Sequence, residues 1–251
     1  MLVLLVMSFV QSTQAGNFKV TPIKVYLEEH QKTQTLTLRN ESESSVTLQF
    51  EAVEWRQDAN GQDAYEPSKA IVIFPKILTV EANSEKTIRL GYQGPPAGAQ
   101  ERTYRVFMTE IPIAKNAEVG LQMAMRLGVP VFAIPKKGKP VLDIERVTMA
   151  KGVAEVLVMN PGNKHVYVKS IEVTGLDASD KSVFTQEVKG WYLLPGIHRV
   201  FPVAIPTDSC AAGAKLRVTV AFANQDVEQV PMTTTQPMQV AGCSPNVTAG
   251  R

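Results

Sequence analysis

Residues 120–140 read GLQMAMRLGVPVFAIPKKGKP. Leu121, Met123, Met125 and Leu127 alternate with Gln122, Ala124, Arg126 and Gly128. An extended chain turns successive side chains to opposite faces, so the first set shares one face. That face either covers the protein's own core or lies on an edge strand that offers its side chains to another chain. Flexible methionines suit a surface that must fit several partners. The strand pattern runs to Ile134 and then breaks. Pro135 to Pro140 hold three lysines, two prolines and a glycine, the punctuation of a linker.

The same alternation extends outward on both sides of this stretch. Before it, strands are expected over 18–27, 33–39, 45–55, 70–74, 77–80, 85–92 and 102–111. Pro22 inside the first implies an edge or a bend. Turn signals separate them at 40–44, 60–61, 82–84 and 94–96. After the linker, strands are expected over 141–147, 153–159, 166–173, 182–188, 191–194, 199–205, 214–223 and 238–240, with Asn160-Pro161-Gly162-Asn163 as a turn. Helical periodicity is almost absent. An immunoglobulin-like sandwich needs about 100 residues and seven strands. The arithmetic favours an all-β protein of two such sandwiches, at 16–134 and 140–251 with 135–139 as linker. A single large barrel would use the same strands but leave the basic break unexplained.

Composition is that of a globular protein: 44% apolar, 20% charged, Gly 16 and Pro 16. A net charge of +2 gives no field for nucleic acid. No apolar run approaches the roughly 20 residues of a membrane span. Residues 1–15, MLVLLVMSFVQSTQA, carry a short apolar core, polar residues, and small residues at Thr13 and Ala15. This is the pattern of a secretory signal peptide cut after Ala15, although no Lys or Arg precedes the core. Export would place Cys210 and Cys243 in an oxidising compartment, where two cysteines in one domain most often pair. Closing that loop would contribute about 3–4 kcal/mol. Two buried thiols or half a metal site are the rival readings, and no nearby histidine supports the metal.

No catalytic constellation is visible. His30, His165 and His198 fall at turns or strand edges and read as surface or half-buried. The chain lacks GxSxG, HExxH, a phosphate loop and CxxC. Asn40-Glu41-Ser42 and Asn246-Val247-Thr248 match glycosylation acceptors. Met123 and Met125 could serve copper through thioethers, but no His or Cys stands near them. No enzyme, cofactor or metal is expected.

The ordered set of segments resembles the periplasmic chaperones of the chaperone–usher pathway, which assemble surface pili. Its carriers are FKVTPIKVYL (18–27), LTLRNESESSVTLQFEAVEW (36–55), FPKILTVEANSEKTIRLGY (74–92), ERTYRVFMTEIPI (101–113), RLGVPVFAIP (126–135), NPGNKHVYV (160–168) and WYLLPGIHRVFPV (191–203). VPVFAIP and the long first-half loop are nearer to the archaic, non-classical branch than to the P-pilus type. The resemblance implies two immunoglobulin-like domains set at an angle and a periplasmic location. It also implies pilus subunits and an outer-membrane usher as partners. Subunits are incomplete sandwiches, and the chaperone lends its last first-domain strand, here about 120–134, to complete them. Leu121, Met123 and Met125, with Leu127, are then the donor residues. The family also holds the subunit's carboxylate with two basic residues. Lys24 takes the first position, but the second falls on Pro130. Arg89, Arg105 and Arg126 are the candidates to replace it, with Arg89 preferred. A family glutamate at the domain junction matches Glu101, but its arginine partner falls on Ile134, so that salt bridge is not expected. A two-domain surface adhesin or fibre subunit is the alternative.

Overall fold

The computed structural model describes residues 18–112, 124–210, 212–225 and 227–238. The first domain contains β1 (Phe18–Thr21), β2 (Val25–Leu27), β3 (Thr33–Asn40), β4 (Val46–Gln57), β5 (Asp63–Pro67), β6 (Ile71–Phe74), β7 (Ile77–Val80), β8 (Glu85–Tyr92), β9 (Arg102–Glu110) and β10 (Arg126–Ala133). The second contains β11 (Asp143–Ala150), β12 (Val153–Met159), β13 (Val166–Leu176), β14 (Ser182–Lys189), β15 (Tyr192–Leu193) and β16 (His198–Ala204). A single helical turn follows, α1 (Thr207–Cys210), and then β17 (Lys215–Asn224), β18 (Val227–Glu228) and β19 (Met232–Pro237).

Each domain is two sheets packed face to face. In the first, β1-β3-β8-β6 faces β2-β10-β9-β4-β5, with β7 on β4. In the second, β11-β12-β16 faces β14-β13-β17-β18, with β15 on β13 and β19 on β17. Alternation explains the packing. In β3 the threonines turn out while Leu36 and Leu38 are fully buried, and in β8 Ile88 and Leu90 do the same. They meet Leu48, Phe50, Val106, Met108, Val129 and Val131 from the facing sheet. Each such side chain contributes roughly 1.5–3 kcal/mol on burial.

The stretch 18–27, read as one strand, is two. The Thr21–Pro22 peptide is cis. Before it β1 pairs with β3; after it β2 runs parallel to β10 in the other sheet. Proline supplies no amide for a ladder, so the chain changes sheets there. The last strand among the described residues is β19 at 232–237; Met238, the start of the expected strand 238–240, lies just past it, buried in the core, and 239–240 lie outside the described residues.

Both domains share one turn device. Buried Asn40 donates to the carbonyls of Ser44 and Val80 and accepts the amide of Ser42. Buried Asn160 donates to the carbonyls of Lys164 and Leu193 and accepts the amide of Gly162. Asn40 is 1% exposed, so the acceptor pattern at 40–42 is a buried turn and not a sugar site. Asn246 lies outside the described residues.

The linker is tied to both domains. Pro135 is buried, and Lys136 pairs with Glu29 at 2.7 Å. That contact draws the exposed Glu29 carboxyl below its usual range. Asn163 of the second domain donates to the carbonyls of Ala99 and Lys137 and accepts the amide of Lys139.

Candidate functional site

The second sheet of the first domain has one face on the core and one toward the second domain. Along β10 the odd residues Val129, Val131 and Ala133 are core, with Leu127 packed partly against them. The even residues Arg126, Gly128, Pro130 and Phe132 therefore face outward. Phe132 enters a junction cluster with Trp55, Tyr192 and Leu194. Met125, half-buried, continues the odd series beyond the core. The donor positions Leu121 and Met123 lie outside the described residues.

β10 is flanked unequally. On one side β9 pairs with all of it, from Arg126↔Thr109 to Ala133↔Arg102. On the other, β2 covers only Val131, Phe132 and Ala133. Among the described residues no strand pairs with this second edge at 126–130.

A row of basic residues crosses the outward face. Val25 is level with Val131. One step back along both strands, Lys24 is level with Pro130, and Pro130 is paired with Arg105. Lys24 also stands over the Tyr167 ring of the second domain, 5.4 Å from its centroid. Arg105 is held by its neighbours. Its guanidinium lies 4.1 Å from the centre of the Trp55 ring. It donates from Nη1 to the Tyr65 hydroxyl at 2.6 Å, and Asp63 lies 3.7 Å from Nη1. The Arg105 Nε is buried without a hydrogen-bond partner among the described residues. Burial raises the Tyr65 phenol above its ordinary value, against the pull of Arg105 and with a further push from Asp63. It stays a neutral hydroxyl, accepting from Arg105 and donating to Asp63 at 3.1 Å.

Gly128 is what lets Arg105 lie there. A Cβ on Gly128 would come within 2.9 Å of Arg105 Cδ and 3.0 Å of the Phe107 ring. Further out, Arg126 stacks on Phe107 at 4.0 Å and pairs with Glu51 at 3.5 Å. Arg89, preferred from the sequence as partner to Lys24, is placed elsewhere. It sits exposed on β8, paired with Thr35 and Phe74 in the opposite sheet. The structure brings Lys24 and Arg105 to one face and leaves Arg89 off it.

The domain junction is polar as well as aromatic. Gln57 donates to the Tyr192 carbonyl at 2.9 Å and accepts the Leu194 amide at 2.9 Å. Trp191 Nε1 donates to Asp63 at 3.1 Å, and Arg199 donates to the Gly61 carbonyl at 2.8 Å. Gly61 has φ +73°, and a Cβ there would strike Arg199. Glu101 makes its interdomain contact with His165, not with the position of Ile134: Oε1 is 2.7 Å from Nδ1 and accepts the His165 amide at 3.2 Å. His165 is fully buried, not at the surface, and stacks on Phe132 with centroids 3.7 Å apart.

Cys210 is buried and disulfide-bonded; Cys243 lies outside the described residues. Among the described residues no group of three His, Cys, Asp or Glu could hold a metal, and no helix is long and apolar enough to cross a membrane.

The chain is two angled immunoglobulin-like sandwiches, with an open strand edge on the first among the described residues. Residues 17–139 match the family described as "Pili and flagellar-assembly chaperone, PapD N-terminal domain". The match identifies the first domain as a pilus-assembly chaperone domain, of a fold that is not enzymatic. Solved structures share the fold across both domains. A chain of the CsuC–CsuE chaperone–tip adhesion subunit pre-assembly complex from the archaic chaperone–usher Csu pili of Acinetobacter baumannii is 20% identical. It aligns with TM-score 0.61 over 86% of this chain and 97% of its own. The Pseudomonas aeruginosa CupB2 chaperone is 17% identical, with TM-score 0.57 over 88% and 100%. The Salmonella enterica complex of SafA pilin with the SafB chaperone gives 14% identity and TM-score 0.56 over 90% and 99%. No curated protein matches the chain by sequence.

Proposed function

We propose that this protein is a periplasmic chaperone that captures pilus subunits by lending them β10 and delivers them to an outer-membrane usher. The observation that carries the reading is the edge of β10 at 126–129, which no strand among the described residues pairs with, on a strand whose apolar face runs on from Leu127 to Met125. An incoming strand gains main-chain hydrogen bonds from that edge, while alternate apolar side chains enter its open core. Leu121, Met123, Met125 and Leu127 are the donor residues in this reading. Lys24 and Arg105 anchor the subunit's terminal carboxylate. They stand two strands apart, about 10 Å, on one face beside the edge. Arg105 would replace the basic residue lost at Pro130.

The bonded state of Cys210 agrees with an oxidising compartment and with pairing to Cys243. Residues 1–15 would direct export. The archaic branch, the domain limits 16–134 and 140–251 and the usher as recipient belong to the same reading.

The experiment is a pull-down of tagged protein from a periplasmic extract with mass spectrometry of what accompanies it. A stoichiometric small β-rich polypeptide, lost with Met125→Asp, supports the chaperone. A partner-free monomer recovered while pili are being made favours a structural fibre subunit instead.

A further inference from the structure

The backbone of β10 fixes where pairing along its open edge must stop. The Glu110 amide donates to the Met125 carbonyl at 2.9 Å, which makes 125 and 110 a hydrogen-bonded pair. In an antiparallel ladder such pairs recur every second residue. Residues 127, 129, 131 and 133 therefore spend their amides and carbonyls on β9. Residues 126, 128, 130 and 132 turn theirs to the opposite edge. The Ile134 amide, on that same parity, does reach the Leu27 carbonyl of β2 at 2.9 Å.

Pro130 stands at the boundary. The parallel bridge of Val131 to Val25 takes the carbonyl of residue 130 and the amide of residue 132. Pro130 has no amide to offer. Its carbonyl goes to β2 and nothing is left for a second strand. The next open groups are the amide and carbonyl of Gly128, then those of Arg126.

We infer that Pro130 is a register stop, which ends the pairing of a pilus subunit's strand at Gly128 and so fixes how far that strand can slide along β10. The inference rests on the chaperone reading above. The occupant it commits to is an extended strand of the subunit, lying end to end with β2, because only a strand can use a row of alternate open amides and carbonyls. A lysine in place of the proline would leave one more amide on the edge. Here that amide is absent, and the bare Gly128 lets Arg105 and Phe107 crowd the face beside it.

Amide hydrogen exchange tests this, read residue by residue in the free chain and in the complex recovered by the pull-down. In the free chain the Arg126 and Gly128 amides should exchange fast, and those of Val129 and Val131 slowly. In the complex Arg126 and Gly128 should become protected. In the Pro130→Ala complex the new amide at 130 should be protected too, with subunit release roughly fivefold slower for one added hydrogen bond. A complex that forms while Gly128 stays fast overturns the inference and leaves the chaperone reading standing. So does a Pro130→Ala complex with fast exchange at 130 and unchanged release. Protection of Gly128 in the free chain that grows with its own concentration makes the occupant a second copy and overturns it as well. No captured polypeptide overturns both.

Discussion

Glu101 Oε1 lies 2.7 Å from His165 Nδ1, with the two side chains 0% and 1% exposed, so one pair of residues from different domains is closed off at the junction. The Glu101 Oε2 is buried without a hydrogen-bond partner among the described residues. The pair is thus held by few groups, and removing either member strands the other.

Glu101→Ala is expected to cost about 2–3 kcal/mol, the range for losing hydrogen bonds to a carboxylate and stranding their buried partner. The loss should fall on domain coupling. Calorimetry should show one transition in the parent and two in the variant. An unchanged single transition would refute the coupling role. Glu101→Gln keeps an acceptor and should lie between them.

Lys24→Ala and Arg105→Ala should each weaken subunit capture about tenfold, the scale of a lost charge-assisted hydrogen bond. Arg105→Lys should recover only part, because an ammonium lacks the guanidinium fork. Arg89→Ala should leave capture unchanged. Titrating each variant against purified subunit decides between them. A loss at Arg89 equal to that at Arg105 would return the anchor to the opposite sheet.

Met125→Asp should abolish capture while leaving the circular dichroism spectrum and melting temperature of the free chain near the parent's. Met125 is half-buried beyond the domain's own core, so the carboxylate can stay in water until a subunit would enclose it. A variant that still captures subunit normally would remove β10 from the donor role.

Cys210→Ser should cost about 2–5 kcal/mol, and dithiothreitol should destabilise the parent by a similar free energy, read as a lower melting temperature. A parent insensitive to reductant would show that the bond adds nothing to stability.

Much of the fold was legible in alternation. TQTLTLR and EKTIRLGY name their buried residues directly, because each strand has one wet face and one dry. The short strand DAYEP (β5) was not, since it is exposed along most of its length. MTTTQP (β19) has no apolar stripe to reveal it, and its threonines only follow the register of β17. The sheet change at Pro22 had a local mark, yet its destination is set by β10, more than a hundred residues on. The site was legible in part. Three arginines on strands look alike in sequence, and only the pairing of Arg105 with Pro130 separates one from the others. His165 gave no signal by itself; the retained Glu101 did, since a junction carboxylate needs some partner.

Pro130 has a second consequence, in the molecule that has no client. A protein that works by presenting a strand edge is exposed to pairing with copies of itself, the route by which open edges seed aggregates. Between the end of β2 and the proline no amide is available, and the next residue outward is a glycine backed by Arg105 and stacked Arg126. A proline on an edge and charges beside it are the usual protections against such growth. A second copy that paired with this edge would meet the same stop at the proline as a subunit's strand does.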